Sequence, residues 1–366
     1  IKKNFMAKKI NLHKFFQNKK ILITGHTGFK GSWLSVWFLK FGCKVVGISK
    51  DIPTKPSNFI NLNLNKKIKN YFINIKNFGE VKKIIIKEKP DIVFHFAAQA
   101  IVSESFDNPM DTVNTNTIGS LNILHTASFL KTKCICIMIT SDKCYFNLEK
   151  NSGYKENSLL GGKDMYSGSK AAAEIILNSY FHSFNKKNKN LLFCTARAGN
   201  VIGGGDWSKN RLIPDIMRAW GKSKKAKIKN SQSIRPWQHV LEPLYGYMKA
   251  AYYLNYKKKL NGSSFNFGPS STKSYKVIEL IKSLEVLRKQ KKQYVIQKKK
   301  SFKETKILKL NSFKAQKKLK WKTSLSIKEM TFYISDWYNN FFNKKTNMYD
   351  FSINQIEQYE KKIEKN

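Results

Sequence analysis

A strand, a glycine-spaced turn and a helix follow one another over residues 19–41, and this succession constrains the fold more than any other stretch. Ile21-Leu22-Ile23 has the unbroken apolar character of a buried parallel strand. Gly25, Gly28 and Gly31 then recur at every third position. Ser32 to Phe41 reads as helix and Val45 to Ile48 as the next strand. In this context the spacing is that of a dinucleotide-binding turn. Gly25 permits the tight bend, Gly28 lets a pyrophosphate approach the backbone, and Gly31 allows close helix–strand packing. The phosphates take the helix N-terminus, where unpaired N–H groups and the dipole favour anions.

The alternation continues along the chain. Ile73-Asn74-Ile75 ends a third strand, Val81 to Glu88 is helical, and "DIVFHFAAQA" is a fourth strand running into small residues. Ala97-Ala98 there leave room for a cofactor. Asn116 lies in a helical stretch from Thr112 to Leu130, followed by a strand over Cys134–Ile139, a helix opening at Tyr166 and the strand "LLFCTARAG". Strands alternating with helices at this spacing predict an α/β fold, a doubly wound parallel sheet of the Rossmann type. The acidic residue expected on the adenosine ribose is Asp51, but Lys50 beside it would tolerate a 2′-phosphate, so residues alone leave NAD and NADP both open.

From Asn200 the character changes to glycine-rich loop and helix, which predicts a smaller, mixed C-terminal substrate lobe. The expected division is a tail over 1–18, with Met6 as the true start, and a nucleotide-binding domain over 19–199 with a return segment at about 239–268. Residues 200–238 and 269–345 form the lobe, "KKQYVIQKKK" within it reads as a solvated linker, and 346–366 form a charged tail read as a frayed terminal helix.

Tyr166 and Lys170 are four apart at the head of an Ala-rich helix, which puts both on one face. A cation there favours phenolate, so Tyr166 is expected to act as a base with a lowered pKa. Directly after the Cys134–Ile139 strand stands the polar triplet Ser141-Asp142-Lys143.

Composition limits the alternatives. Hydrophobic content of 41% and aromatic content of 13% are those of a folded chain. The sequence has no apolar run of the roughly 18 residues a membrane span needs, and its first residues lack the apolar core of a signal peptide, which predicts the cytoplasm. The five cysteines, Cys43, Cys134, Cys136, Cys144 and Cys194, are scattered and predict structural thiols with no metal site. Lys+Arg number 68 against 24 Asp+Glu, a formal charge of +44. That charge is spread along the chain in company with Asn, Ile and Phe, so it reads as compositional drift and not as a nucleic-acid interface.

The segments "TGHTGFKGSWLS", "AAQAIVSESFDNP", "TSDKCY", "YSGSKAAAE", "ARAGNVIGGGDW", "RLIPDI", "RPWQHVLEPL" and "NFGP" resemble, in order, the extended short-chain dehydrogenase/reductases. Within that superfamily the chain is similar to the CDP-glucose 4,6-dehydratase family, from about Phe15 to Tyr338. The first glycine block marks the superfamily alone; the Lys143 triplet, "GNVIGGGDW" and "RPWQHVLEP" are more specific.

The resemblance implies a dehydratase that holds NAD tightly, uses CDP-glucose and forms a homodimer through helices around Thr112–Leu130 and Tyr166–Phe184. It also implies a product destined for a deoxysugar of cell-surface polysaccharide. It assigns the cofactor to Gly25, His26, Thr27, Gly28, Phe29, Lys30, Gly31, Asn74, Ile75, Ala97, Ala98, Gln99, Asn116, Tyr166 and Lys170. Tyr166 takes the proton of the sugar 4-hydroxyl and Ser141 shares that hydrogen bond. Lys143 is then the base at C5 and Asp142 the acid at the leaving 6-hydroxyl. These roles demand a neutral Lys143 and a protonated Asp142, which burial favours. Asn200, Arg211 and Arg235 are the implied diphosphate and nucleotide partners. His239 is either a ligand or a satisfied histidine at a helix start. Trp207 and Trp237 either stack on cytosine or fill core, core being the expectation for Trp237. Two positions depart from the family: Asn74 replaces an aspartate that holds the adenine amino group, and Ser103-Glu104-Ser105 replace arginines. Both put affinity in doubt more than reaction type.

Overall fold

The computed structural model describes residues 10–185, 188–269, 275–287, 293–297, 307–344 and 346–365; Met6 lies outside them. Seven parallel strands form the central sheet: β1 (Lys20–Thr24), β2 (Lys44–Ser49), β3 (Lys69–Phe72), β4 (Ile92–His95), β5 (Cys134–Ile139), β6 (Leu191–Ala198) and β7 (Ser263–Phe267). Their spatial order is β7-β6-β5-β4-β1-β2-β3, so the direction of winding reverses between β1 and β4. Ligands of such sheets bind at that reversal, beyond the carboxyl ends of the strands. β5 and β6 are buried along their whole length, as expected of strands covered on both faces.

Helices cover both faces. On one side lie α1 (Phe29–Lys40) and, from later in the chain, α6 (Leu241–Tyr256); on the other lie α2 (Phe78–Glu88), α3 (Gly119–Ala127) and α4 (Met165–Tyr180). The helix expected over Thr112–Leu130 is interrupted by a π-turn at Asn114–Ile118. Such wide turns rotate one residue off the regular register and recur at functional sites. The third strand stops at Phe72, so Ile73 to Ile75 lie beyond it.

The smaller lobe holds α5 (Leu212–Trp220), α7 (Val277–Leu287) and α8 (Ile327–Asn343), with short strand pairs between. Residues 294–296, expected within a solvated linker, instead pair in parallel with Ala226–Ile228. The terminal helix expected over 346–366 is present as α9 (Met348–Glu364), but it is packed and not frayed, with Ile356 and Tyr359 fully buried. Its apolar stripe is what the reading of its charges overlooked. It lies on α1, where the Trp37 indole N–H donates to Glu360 Oε1 at 2.7 Å and Lys40 Nζ to Oε2 at 2.8 Å. At the other end of the described chain, Phe16 of the short helix Leu12–Phe16 is fully buried.

Among the described residues no helix is long and apolar enough to cross a membrane, and no group of three His, Cys, Asp or Glu could hold a metal.

Candidate active site

The glycine turn is built as tightly as its spacing demands. Gly25 has φ +71°, and a Cβ on it would stand 2.8 Å from Ala97 N; one on Gly31 would stand 2.3 Å from Gly25 O. Gly28 is the N-cap of α1 in extended conformation and supplies no side-chain cap. The first turn of this 12-residue helix therefore keeps donors for an anion. A Cβ on Gly28 would meet only Gly25 O, at 3.3 Å, so hydrogen here leaves an open cradle. Turn and helix fit a dinucleotide pyrophosphate.

The other residues assigned to the cofactor divide into two groups. Ala97 N donates to Thr24 Oγ1 at 3.2 Å, which fixes the small-residue loop beside the turn. Thr27 is tied by its hydroxyl to Asp51 O at 2.7 Å. Lys30 extends from α1 towards Asp142 and Lys170; burial, with Arg211 and Lys170 nearby, lowers its ammonium to about 7. By contrast the His26 ring is fully buried, between Ser49 Oγ at 2.9 Å and Asn70 Oδ1 at 3.0 Å. Asn116 is also buried: its Oδ1 accepts from Gln99 N at 2.9 Å, and its Nδ2 donates to Gln99 O at 3.0 Å and Ser169 Oγ at 2.9 Å. It clamps the loop after β4 to the catalytic helix. Gln99 is used likewise, its amide nitrogen donating to Ile101 O at 2.9 Å. Asn74 Oδ1 accepts from Lys76 N at 3.1 Å, and Ile75 is buried, its side chain against Gly119.

The catalytic candidates converge. β5 ends at Ile139, and Thr140-Ser141 lead into a 3-10 turn at Asp142–Cys144. Ser141 Oγ accepts from Lys143 N at 3.2 Å and donates to Asp142 Oδ1 at 3.1 Å. Asp142 is only 2% exposed, and its Oδ2 has no hydrogen-bond partner among the described residues. Burial raises its carboxyl above the usual range, against the pull of Lys143, Ser141, Arg235 and Lys30. Helix α4 opens under the cap of Asp164, whose Oδ1 accepts from Ser167 N at 2.9 Å, and so presents Tyr166 to this turn.

Tyr166 and Lys170 are both buried, and the expected lowering of the phenol is reversed in the protein alone. Burial raises the Tyr166 hydroxyl, with a hydrogen bond to Ser141 and the charge of Arg211 opposing it. Burial also lowers Lys170 to about 8. Position on one helix face supplies proximity, but desolvation of both groups outweighs the attraction expected between them.

Two arginines join the site. Arg211, partly exposed, reaches Asp206 Oδ2 at 3.4 Å and Ala100 O at 3.3 Å. Arg235 is buried and acts on Asp142. The main-chain oxygen of Asn200 accepts from Gln238 N at 3.0 Å, joining the lobe to the sheet. His239 is fully buried between Trp33 and Tyr333 and is lowered to about 3 by burial. Its Nδ1 accepts from Leu241 N at 3.4 Å, while its Nε2 is buried with no hydrogen-bond partner among the described residues. Trp207 packs against Tyr338 and Phe341, and the Trp237 indole donates to Tyr275 O at 3.2 Å; both are core.

Beneath the site runs a buried polar network whose members lie within the quoted segments but are assigned no role there. Glu174, on α4, pairs with Arg197 of β6 and accepts from Thr140 and Thr195. Arg197 also donates to Tyr145 Oη at 2.8 Å, which donates in turn to Asn266. The legible signal was the charge of Arg197 inside an otherwise apolar strand.

A model of the GDP-mannose 4,6 dehydratase family matches residues 22–332. CDP-glucose 4,6-dehydratase of Salmonella typhimurium is 39% identical over 328 residues, covering 88% of this chain and 91% of its own. Among solved structures, UDP-glucose-4-epimerase from Stenotrophomonas maltophila with bound NAD superposes with a TM-score of 0.78 at 18% identity, over 89% of this chain and all (100%) of that one. The dTDP-glucose 4,6-dehydratase from Bacillus anthracis in complex with NAD gives 0.71 at 20% identity, over 88% and 97%. At such identities the structural matches show a shared fold.

Proposed function

The chain belongs to the GDP-mannose 4,6 dehydratase family, and from that premise we propose that it is an NAD-dependent lyase that dehydrates CDP-glucose to CDP-4-keto-6-deoxyglucose. The likeness to the Salmonella enzyme supports the nucleotide. The observation that carries dehydration is Asp142: a buried carboxyl, shifted by that burial towards its protonated form, beside the Tyr166 and Lys170 pair. An epimerase, which only moves hydride at one carbon, has no use for such an acid.

The chain's residues act in sequence. Gly25, Gly28 and Gly31 with the first turn of α1 would hold the pyrophosphate of NAD. The chemistry that NAD supplies when bound is reversible hydride acceptance, from C4 first and back to C6 at the end. Tyr166 removes the proton of the 4-hydroxyl, with Ser141 orienting that oxygen. The cation of Lys170, and any positive charge brought to the cleft, favours the phenolate against the burial described above. The 4-ketone acidifies C5–H, and Lys143 takes that proton. Asp142 gives its proton to the departing 6-hydroxyl, which leaves as water. Lys143 then returns a proton to C5 as C6 is reduced. Arg211 and Arg235 would hold the diphosphate.

We further propose a homodimer through α3 and α4. Ile118, Phe129, Ile175, Ile176 and Phe184 are exposed on and beside these helices, an apolar face that pairing would cover. Five free, buried cysteines support a reducing compartment, the cytoplasm. The product would feed deoxysugar synthesis for polysaccharide.

The test is incubation with NAD and CDP-glucose, with UDP-, dTDP- and GDP-glucose in parallel, followed by product mass. Loss of one water from CDP-glucose supports the proposal; loss from another nucleotide sugar alone overturns the substrate. No loss from any overturns the reaction.

A further inference from the structure

Below the catalytic turn lies a hydroxyl that these steps leave unused. Tyr247, in α6, is fully buried, and its hydroxyl has no hydrogen-bond partner among the described residues. Its ring stands edge-on to Phe267, at the end of β7, with centroids 5.2 Å apart, and lies against Phe96, just past β4, at 5.9 Å. Because the strand order is β7-β6-β5-β4, a ring that touches both passes beneath the ends of β6 and β5. Helix α6 packs across those same two strands. The end of β5 is where the chain turns through Ser141 into Asp142, whose Oδ2 is the other unpartnered atom here. The negative charge of Asp142 contributes to raising the Tyr247 phenol, after burial.

We propose that Tyr247 is the positioning residue for Asp142, donating its hydroxyl proton to Oδ2, directly or through one ordered water, as the carboxyl gives its own proton to the leaving sugar hydroxyl. The inference rests on the reading of Asp142 as the acid of the elimination. When Asp142 loses its proton, a carboxylate appears in a place closed to water. Ser141 donates to Oδ1 only, and a buried carboxylate oxygen without a donor is costly. Burial keeps the phenol of Tyr247 protonated throughout the working range, so it is a donor at every stage.

A hydrogen bond to the charged form makes a carboxylic acid stronger. Tyr247 thus offsets part of the upward push of burial on the Asp142 carboxyl, and leaves an acid that can both hold and release its proton. The other groups facing Asp142 are Lys143 and Cys144 from its own turn, Arg235 from the lobe, Lys30 from α1 and Tyr166 from α4. Lys30 and Arg235 would be shared with an anionic substrate or cofactor, whereas Tyr247 lies on the protein side of the turn.

The variant Tyr247→Phe keeps the ring and its packing and removes only the hydroxyl. With CDP-glucose and NAD, kcat is expected to fall on the order of tenfold or more while KM stays within about twofold. The absorbance of reduced nicotinamide should build up during turnover, because oxidation at C4 is spared and loss of water is not. Asp142 must be protonated to act, so losing the donor should move the alkaline limb of kcat up by about one pH unit. A second readout needs no turnover: in protein labelled with carboxyl-13C aspartate, with Asp142→Asn to assign the signal, the Asp142 titration should also rise by about one unit. Unchanged kcat with an unchanged titration overturns the proposal. A fall in kcat without absorbance build-up and without a titration shift assigns Tyr247 to packing and overturns it too. If the unaltered protein dehydrates nothing, the proposed reaction falls, and the titration still decides whether Tyr247 bonds Asp142.

Discussion

Glu174 Oε2 and Arg197 Nη2 meet at 2.8 Å, with their side chains 1% and 4% exposed. Tyr166, Lys170 and Glu174 follow one another at four-residue intervals along α4, so this ion pair holds the catalytic face of the helix against β6. Burial alone would raise the carboxyl of Glu174; Arg197, Thr140 and Thr195 together bring it below its ordinary value.

Removing one partner of such a pair leaves the other charged and out of water. Glu174→Ala should therefore cost about 3–5 kcal/mol of stability. The urea unfolding midpoint reads this directly, and a loss within about 1 kcal/mol would show that Arg197 finds water when its partner is gone.

Lys170 trades stability for chemistry. Its ammonium is lowered from 10.5 to about 8 by burial. The folded state bears the full burial penalty below pH 8 and is relieved as pH rises from there to about 10.5, where the unfolded chain also gives up the proton. Lys170→Met should abolish dehydration yet stabilise the fold at pH 7 by up to about 3 kcal/mol. The gain over the unaltered protein should shrink above pH 8. Unfolding of both proteins in urea at pH 7 and pH 9.5 measures it, and an equal difference at both would rule the account out.

Three histidines are held neutral by burial. His26 is lowered to about 4, and His95 and His239 to about 3. Their stability contribution is present above 6.5 and is lost as pH falls towards those values, because the unfolded chain takes up protons the folded one refuses. The slope of stability against pH should approach about 4 kcal/mol per unit between pH 6 and 4, tempered by buried Asp142 and half-buried Glu156, whose raised carboxyls act in the opposite sense. His239→Leu should remove about one proton's share. A slope unaltered by that change would place the acid sensitivity elsewhere.

The glycines of the turn should separate in their effects. A Cβ on Gly31 meets backbone at 2.3 Å, and one on Gly28 meets backbone only at 3.3 Å. Gly31→Ala should lose about 1–3 kcal/mol of stability. Gly28→Ala should melt nearly as the unaltered protein while losing NAD affinity in calorimetry. The reverse order would mean that the cradle does not lie at Gly28.

The sheet was legible because its signals are local. Strand runs, glycine spacing and the pairing of Tyr166 with Lys170 all lie within a few residues. What escaped the sequence depends on what lies across space. The sign of the Tyr166 shift follows from desolvation, which no spacing reports. Arg197 and Glu174 belong to different elements, and the burial of His239 follows from Trp33 and Tyr333, far off in the chain. The bonds of the Asn116 amide to Gln99 and Ser169 depend on the π-turn, which the sequence does not report. The charges of 346–366 hid the apolar stripe of α9.

That stripe has a consequence for the order of assembly. Trp37 sits in the first helix of the nucleotide-binding half, and the carboxylate that receives its indole proton is Glu360. A ribosome must deliver more than 300 further residues before α1 meets that neighbour. Until then an apolar flank of the first βαβ unit stays open, whatever the progress of the sheet. A chain cut ahead of Met348 would carry every residue proposed for catalysis and still expose that flank.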